Sequence, residues 1–381
     1  MAEGNGRKIN RHSLEEKFIQ DNGSAAQEKG GSGNAPAVNP ELGKLIRHRK
    51  RKTWSPDELA EGILKGNVPM LSRAITLVES HHPRHQEMAT ELVEKCLPYA
   101  GKSIRIGITG VPGAGKSTLI EALGNRIASP EQKLAVLAVD PSSSRSGGSI
   151  LGDKTRMELL STNPYAFVRP SPSGGTLGGV ARKTRESVTL CEAAGYSVIF
   201  IETVGVGQSE TMVHGMTDFF LLVLIPGAGD ELQGMKRGVV ELADAVLVNK
   251  ADGDNAAKAE RAVSDYASAM HLLPPHPGKW TPRVMACSAK TNAGIDVLWN
   301  TISEYITFTK ANGYFETKRR EQNLDWLQET ILDLLQSEFY RHPGVASLLQ
   351  KYTAEVAKNK ITPYFAARHL METYHQKKIT L

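Results

Sequence analysis

The sequence predicts an α/β fold, a mostly parallel central sheet flanked by helices with helical extensions at the N- and C-terminal ends. Three observations predict it. Short apolar runs recur from residue 104 onward; each is too short for a helix; and each gives way to a Gly/Pro/Ser-rich loop and then to a helical pattern. That alternation is what parallel βαβ units require.

Taken in order, residues 1–40 are rich in Gly, Ser, Asn and Ala, with GGSGN at 30–34, and carry too little apolar surface to offset the cost of ordering them. They read as a flexible tail. The net charge of +5 is set just beyond it, because Lys44, Arg47, Arg49, Lys50, Arg51 and Lys52 supply +6 and the rest of the 381 residues sums to −1. A solvated linker is expected there, and neither nucleic acid nor a membrane is expected as a partner. The N-terminus has no apolar stretch of the secretory kind, and Glu3, Glu15, Glu16, Asp21 and Glu28 argue against an acid-poor transit peptide. No apolar run reaches the ~18 residues that span a bilayer, and Cys96, Cys191 and Cys287 form no CxxC pair. A soluble protein of the reducing cytoplasm is expected.

Order is expected from Trp54, since Ser55, Pro56 and Glu58 have the spacing of a helix capping box with proline in the first turn. Leu71, Ile75 and Val78, then Met88, Leu92 and Cys96, mark two further amphipathic helices. The strands follow as IRIGIT (104–109), LAVLAV (134–139), SVIFIE (197–202), DFFLLVLI (218–225), AVLVN (245–249) and RVMACSA (283–289), with helical patterns at 116–128, 255–270 and 294–306. After residue 312 only polar helical segments remain, at 318–341, 344–357 and 364–376. The chain thus divides into a tail (1–53), an N-terminal helical segment (54–102), an α/β domain (103–312) and a C-terminal helical arm (313–381).

Gly110, Val111, Pro112, Gly113, Ala114, Gly115, Lys116, Ser117 and Thr118 follow the first strand and open the helix at 116, matching GxxxxGK[ST] in the strand–loop–helix context it needs. This predicts a P-loop nucleotide-binding fold. The glycines let backbone N–H groups turn toward phosphates, Lys116 reaches the β- and γ-phosphates, and the Ser117 hydroxyl meets Mg²⁺. Magnesium takes hard oxygen ligands, and three acids stand at or just beyond strand ends: Asp140 in AVDPSS, Asp153 in GGSILGDKTRM and Glu202 before Thr203-Val204-Gly205. Glu202 stands where an aspartate is more usual.

Asn249-Lys250-Ala251-Asp252 and Ser288-Ala289-Lys290 end the last two strands and select the base. The Asp252 carboxylate can accept from guanine N1–H and N2–H₂, whereas adenine would leave it unpaired. Asn249 can serve O6/N7, Lys250 can lay its stem along the base, and the Ala289 N–H can meet O6. GTP and GDP are the expected ligands.

With these motifs in view the chain resembles the MeaB/ArgK-type GTPases, chaperones of adenosylcobalamin-dependent methylmalonyl-CoA mutase. The resemblance covers about residues 55–380 and rests on AITLVESHHPRH, GVPGAGKSTLIEALG, AVDPSSSRSGGSILGDKTRM, RPSPSGGTLGG, CEAAGYSVIFIETVGVGQSE, GAGDELQGMKRG and NKADGD. It implies a homodimer formed through the C-terminal helices, and a mutase partner that is protected or reloaded with cobalamin under control of the GTP state. By position it implies that Ser117, Asp140, Asp153 and Glu202 surround Mg²⁺ and the γ-phosphate, and that 203–215 is a switch loop. It also implies a third switch at Gly227–Gly238, whose Gln233 and Lys236 join Lys116 and Glu202 in catalysis once the mutase docks. Three other readings compete, one of them a nucleotide-binding scaffold with no turnover, which intact Glu202, Lys116 and Ser117 oppose. A metal-insertion GTPase would use His81, His82 and His85, but Pro83 interrupts them and no histidine-rich tract supports them. A small-molecule kinase would share the P-loop, but NKxD, SAK and the lack of an evident lid oppose it.

Overall fold

The computed structural model describes residues 54–80, 82–139, 157–170, 177–203, 209–227 and 237–376. The tail and its basic run lie outside them.

Among the described residues three helices come first: α1 (Pro56–Leu64), α2 (Val68–Glu79) and α3 (Pro83–Cys96). The capping box forms as expected, with Glu58 N–H donating to Ser55 Oγ at 3.1 Å and Ser55 N–H to Glu58 Oε2 at 3.0 Å. Such a cap stabilises a helix start by about 1 kcal/mol. Leu59 and Ile63 of α1, Leu71, Ile75 and Val78 of α2, and Leu92 and Cys96 of α3 turn one apolar stripe each into a shared core.

The sheet then builds through β1 (Ile104–Gly110), α4 (Lys116–Ile127), β2 (Leu134–Val139), α5 (Glu158–Thr162), β3 (Ala166–Pro170), α6 (Leu177–Ala193), β4 (Val198–Thr203), α7 (Ser209–His214), β5 (Phe219–Leu224), α8 (Arg237–Glu241), β6 (Ala245–Val248), α9 (Ala256–Met270), β7 (Arg283–Ala286) and α10 (Ile295–Ala311). Among the described residues the sheet has seven strands, all parallel, in the order β3-β2-β4-β1-β5-β6-β7. Alternation along each strand feeds two faces. Ile199, Ile201 and Phe220 join the layer of α1–α3 and α6, while Ile106, Ile108, Phe200 and Phe219 pack under α4 and α10. Each of these phenylalanines contributes about 2–3 kcal/mol by leaving water.

Two features correct the six-strand reading. The edge strand β3 was not expected, because AFVRP buries only Phe167 and Pro170 and ends on a proline, which a sheet tolerates at its edge. The last strand is shorter than RVMACSA: pairing stops at Ala286, and Ser288 instead bridges Ala293 with its N–H, 2.9 Å from the carbonyl oxygen. The helix α6 also packs where no helical pattern was singled out.

At the amino ends of the strands, buried acids are closed off by basic partners. Glu192 accepts from Arg105 at 2.9 and 3.1 Å and from Ser103 Oγ at 2.6 Å. Asp218 accepts from Arg319 at 2.7 Å on both oxygens. Asp244 is held by His276 Nε2 at 2.8 Å, by the Phe220 N–H at 2.8 Å and by Lys318 at 3.6 Å. Burial works to raise Asp244, but the Lys318 ammonium and the His276 hydrogen bond outweigh it and hold its carboxyl below the usual range.

Lys318 and Arg319 belong to α11 (Tyr314–Arg341), which starts four residues earlier than the polar pattern indicated because Gly313, at φ 76°, turns the chain directly out of α10. Beyond that anchor α11 exposes Leu324, Leu327, Ile331, Leu332, Leu334 and Leu335. The final helices, α12 (Pro343–Ala357) and α13 (Pro363–Gln376), bury a small cluster of their own around Val345, Tyr352 and Leu370. Among the described residues no helix is long and apolar enough to cross a membrane.

Candidate functional site

The chain leaves β1 toward β2 on one side and fills β5, β6 and β7 on the other, so the crevice beyond the carboxyl end of β1 is the place where an open parallel sheet receives a ligand. The predicted loop lies there. Gly110 closes β1 at φ 150°, and a Cβ on it would fall 2.0 Å from the Val223 carbonyl oxygen, so no other residue fits against β5. Gly115, at φ 82°, starts α4, and a Cβ there would meet Asn249 Nδ2 at 2.8 Å. Between them run Val111, Pro112, Gly113 and the buried Ala114. No side chain caps α4, so its first-turn N–H groups face outward at the positive end of the helix dipole, which is a receptor for phosphate oxygens.

Lys116 is buried and gives two protons to loop carbonyls, at 2.7 Å to Gly110 O and 3.1 Å to Val111 O. Burial pushes its ammonium below the ordinary lysine value, and Glu202 and Glu210 oppose that shift from nearby. Thr118 is exposed on the first turn, whereas Ser117 Oγ donates to Glu202 Oε1 at 3.0 Å. Glu202 is itself buried at the end of β4. The next side chain, Thr203, shares a hydrogen bond with Thr109 at 2.8 Å, which pins β4 to β1 beneath the loop. A hydroxyl and a carboxylate oxygen side by side at a strand end suit a hard cation, so Ser117 and Glu202 fit Mg²⁺. The other two expected ligands, Asp140 and Asp153, lie outside the described residues. So do Gln233 and Lys236 and residues 204–208 of the expected switch loop.

Asn249 has a part that the motif did not reveal. Its Nδ2 donates to Ala114 O at 2.8 Å, and its Oδ1 accepts from Ala289 N–H at 3.1 Å and from Cys287 Sγ at 3.5 Å. One buried side chain therefore staples the phosphate loop to the Ser288-Ala289-Lys290 loop. The Ala289 N–H, expected to meet guanine O6, is directed at Asn249, and an incoming base would share or displace that bond. Ser288 Oγ is taken by the Thr291 N–H at 3.2 Å, which shapes the loop and leaves Lys290 exposed. Lys250, at φ 60°, places its Cε 3.7 Å from where a Gly115 Cβ would be, so its stem runs beside the loop. Asp252 is half-buried and does not cap the turn that follows it.

Glu210, on α7, was missed. It is 8% exposed, and among the described residues no hydrogen-bond partner meets its Oε2. The sequence held it only as the last letter of GVGQSE, with no motif to mark it. Elsewhere, His85 Nδ1 pairs with Ser80 Oγ at 2.8 Å and lies 5.1 Å ring to ring from His82; His81 is outside the described residues.

Comparison with known proteins agrees with this geometry. Residues 71–343 match the family model described as methylmalonyl Co-A mutase-associated GTPase MeaB. A putative GTPase of Caulobacter vibrioides is 51% identical over 318 residues, covering 84% of this chain and 97% of that protein. The mitochondrial methylmalonic aciduria type A homolog of Mus musculus is 43% identical over 331 residues, covering 84% of this chain and 80% of its own length. Among solved structures, one described as a LAO/AO transport system kinase is 37% identical with a TM-score of 0.66, covering 84% of this chain and 97% of that one.

Proposed function

We propose, from the premise that the chain belongs to the MeaB family of GTPases, that it binds GTP with Mg²⁺ beyond the carboxyl end of β1. Its hydrolysis of the γ-phosphate then times the protection or cobalamin loading of an adenosylcobalamin-dependent methylmalonyl-CoA mutase. The observation that carries the reading is the Asn249 staple, because it holds the base-selecting loop and the phosphate loop as one rigid unit.

In this reading the α4 amides and Lys116 take the phosphates, and Lys116 leaves its two carbonyls to do so. Asp252 accepts from the guanine edge, and Lys250 covers the base. Ser117 and Glu202, with Asp140 and Asp153, hold the metal, which when bound neutralises charge on the β- and γ-phosphates. Gln233 and Lys236 complete the site only when the mutase docks, so turnover without it is slow. The exposed leucines of α11 serve a homodimer, and the cytoplasm is the working compartment.

Single-turnover hydrolysis with and without purified methylmalonyl-CoA mutase tests this. The mutase should accelerate GTP hydrolysis at least several-fold, and Lys236→Ala should remove the acceleration with little change in GTP affinity. No response to the mutase would end the chaperone assignment. The kinase description of the structural relative favours a second reading, phosphoryl transfer to an acceptor. With γ-labelled GTP that reading requires label on the protein or on a small acceptor rather than in inorganic phosphate.

A further inference from the structure

We propose that Glu210 is an outer acidic group of the nucleotide site, whose carboxylate accepts a hydrogen bond from a water bound to the magnesium ion. The inference rests on the GTPase reading above and adds to it a residue that no motif marks.

Position is the first support. The helix α7 begins six residues after β4 ends and packs against both β4 and β1, the two strands whose carboxyl ends carry Glu202 and the phosphate loop. Glu210 sits in its first turn, buried, and, like Glu202, it opposes the downward shift of the Lys116 ammonium.

The second support is its incompleteness. Among the described residues no donor meets Glu210 Oε2, although a buried carboxylate oxygen left without a donor is costly. Glu192, Asp218 and Asp244 are each closed by several donors, and Glu186, whose Oε2 is open as well, is paired with Arg182 through Oε1 at 2.9 Å. Among the described residues none supplies Glu210 Oε2 with a donor, which leaves that oxygen available to a ligand.

Chemistry narrows that donor. Triphosphate oxygens are acceptors and anions, so they repel a carboxylate. Lys116 has two protons on Gly110 and Val111 and is drawn to phosphate when nucleotide enters. What remains is water on Mg²⁺, a strongly polarised donor, and Mg²⁺ keeps several of its waters in such sites. Outer-shell acceptors of this kind typically change metal affinity about 10–100-fold.

The test uses the full-length protein and Glu210→Gln, which keeps the shape and removes the charge. Mn²⁺ affinity is read by electron paramagnetic resonance in complexes with GDP and with a non-hydrolysable GTP analogue, and nucleotide affinity is read separately in EDTA. The variant should bind Mn²⁺ about tenfold more weakly and bind nucleotide in EDTA unchanged. Without nucleotide its thermal midpoint should hold, because among the described residues no hydrogen bond rests on Glu210 Oε2. Mn²⁺ affinity within twofold of wild type would overturn the proposal; so would a parallel loss of metal-free nucleotide affinity, or a lowered midpoint, either of which would mark Glu210 as structural. A wild-type protein that binds no GTP would defeat the underlying reading instead, and the EDTA measurement separates that failure.

Discussion

At the amino ends of the strands Glu192, Asp218 and Asp244 each meet a cation and further donors, and Arg319 even ties Asp218 to the carbonyls of Gly101 and Ser103 at 2.6 Å each. At the carboxyl ends, a few residues away along the same strands, Lys116 rests on two neutral carbonyls and Glu210 keeps an oxygen that no donor meets among the described residues. Both regions bury charge. The difference is that the first has satisfied it within the fold, where a broken pair costs stability, while the second holds it for a ligand, where its loss costs binding.

Three expected outcomes follow from that contrast. Largest is Lys116→Ala, which should abolish measurable nucleotide binding, a loss above about a hundredfold, since a charge-assisted contact to phosphate is worth about 1.5–3 kcal/mol and Lys116 makes more than one. Its thermal midpoint should not fall, because the ammonium it removes is desolvated; a large drop would place Lys116 with the structural charges. Next is Arg319→Ala, which leaves Asp218 buried without its cation, the Arg105 N–H at 2.8 Å still donating to it. Urea unfolding should show a loss of about 3–5 kcal/mol, with nucleotide affinity of the folded protein unchanged. Smallest is a pH effect. Burial, with Lys318 nearby, pushes His214 down to about 4 from its ordinary 6.5. The unfolded chain therefore takes that proton first, so this contribution is complete above pH 6.5 and is lost as pH falls toward 4, to a limit of about 3 kcal/mol. His214→Leu should flatten the stability profile across that window, and an unchanged slope would assign it to other groups.

Much of this was legible because local rules and tertiary demands agree. GxxxxGK[ST] forces a turn only glycine permits at positions 110 and 115, and apolar runs such as SVIFIE have no stable home but a covered parallel sheet. The edge strand β3 was hidden because an edge needs burial on fewer positions, so its sequence looks like a loop. The Asn249 staple was hidden for a different reason: NKxD names a residue type, but which atoms it bonds depends on two loops far away in sequence. Glu210 was hidden because a missing partner leaves no pattern in the chain.

The account depends most on a carboxylate at the base-selecting loop reading guanine while the P-loop holds the phosphates. Calorimetric titration of wild type and Asp252→Asn with GTP, ATP and xanthosine triphosphate analogues in Mg²⁺ tests this directly. The wild type should prefer GTP over ATP by at least about a hundredfold, and Asp252→Asn should shift its preference to the xanthine nucleotide. A variant that still selects GTP, or a wild type indifferent to the base, would contradict it.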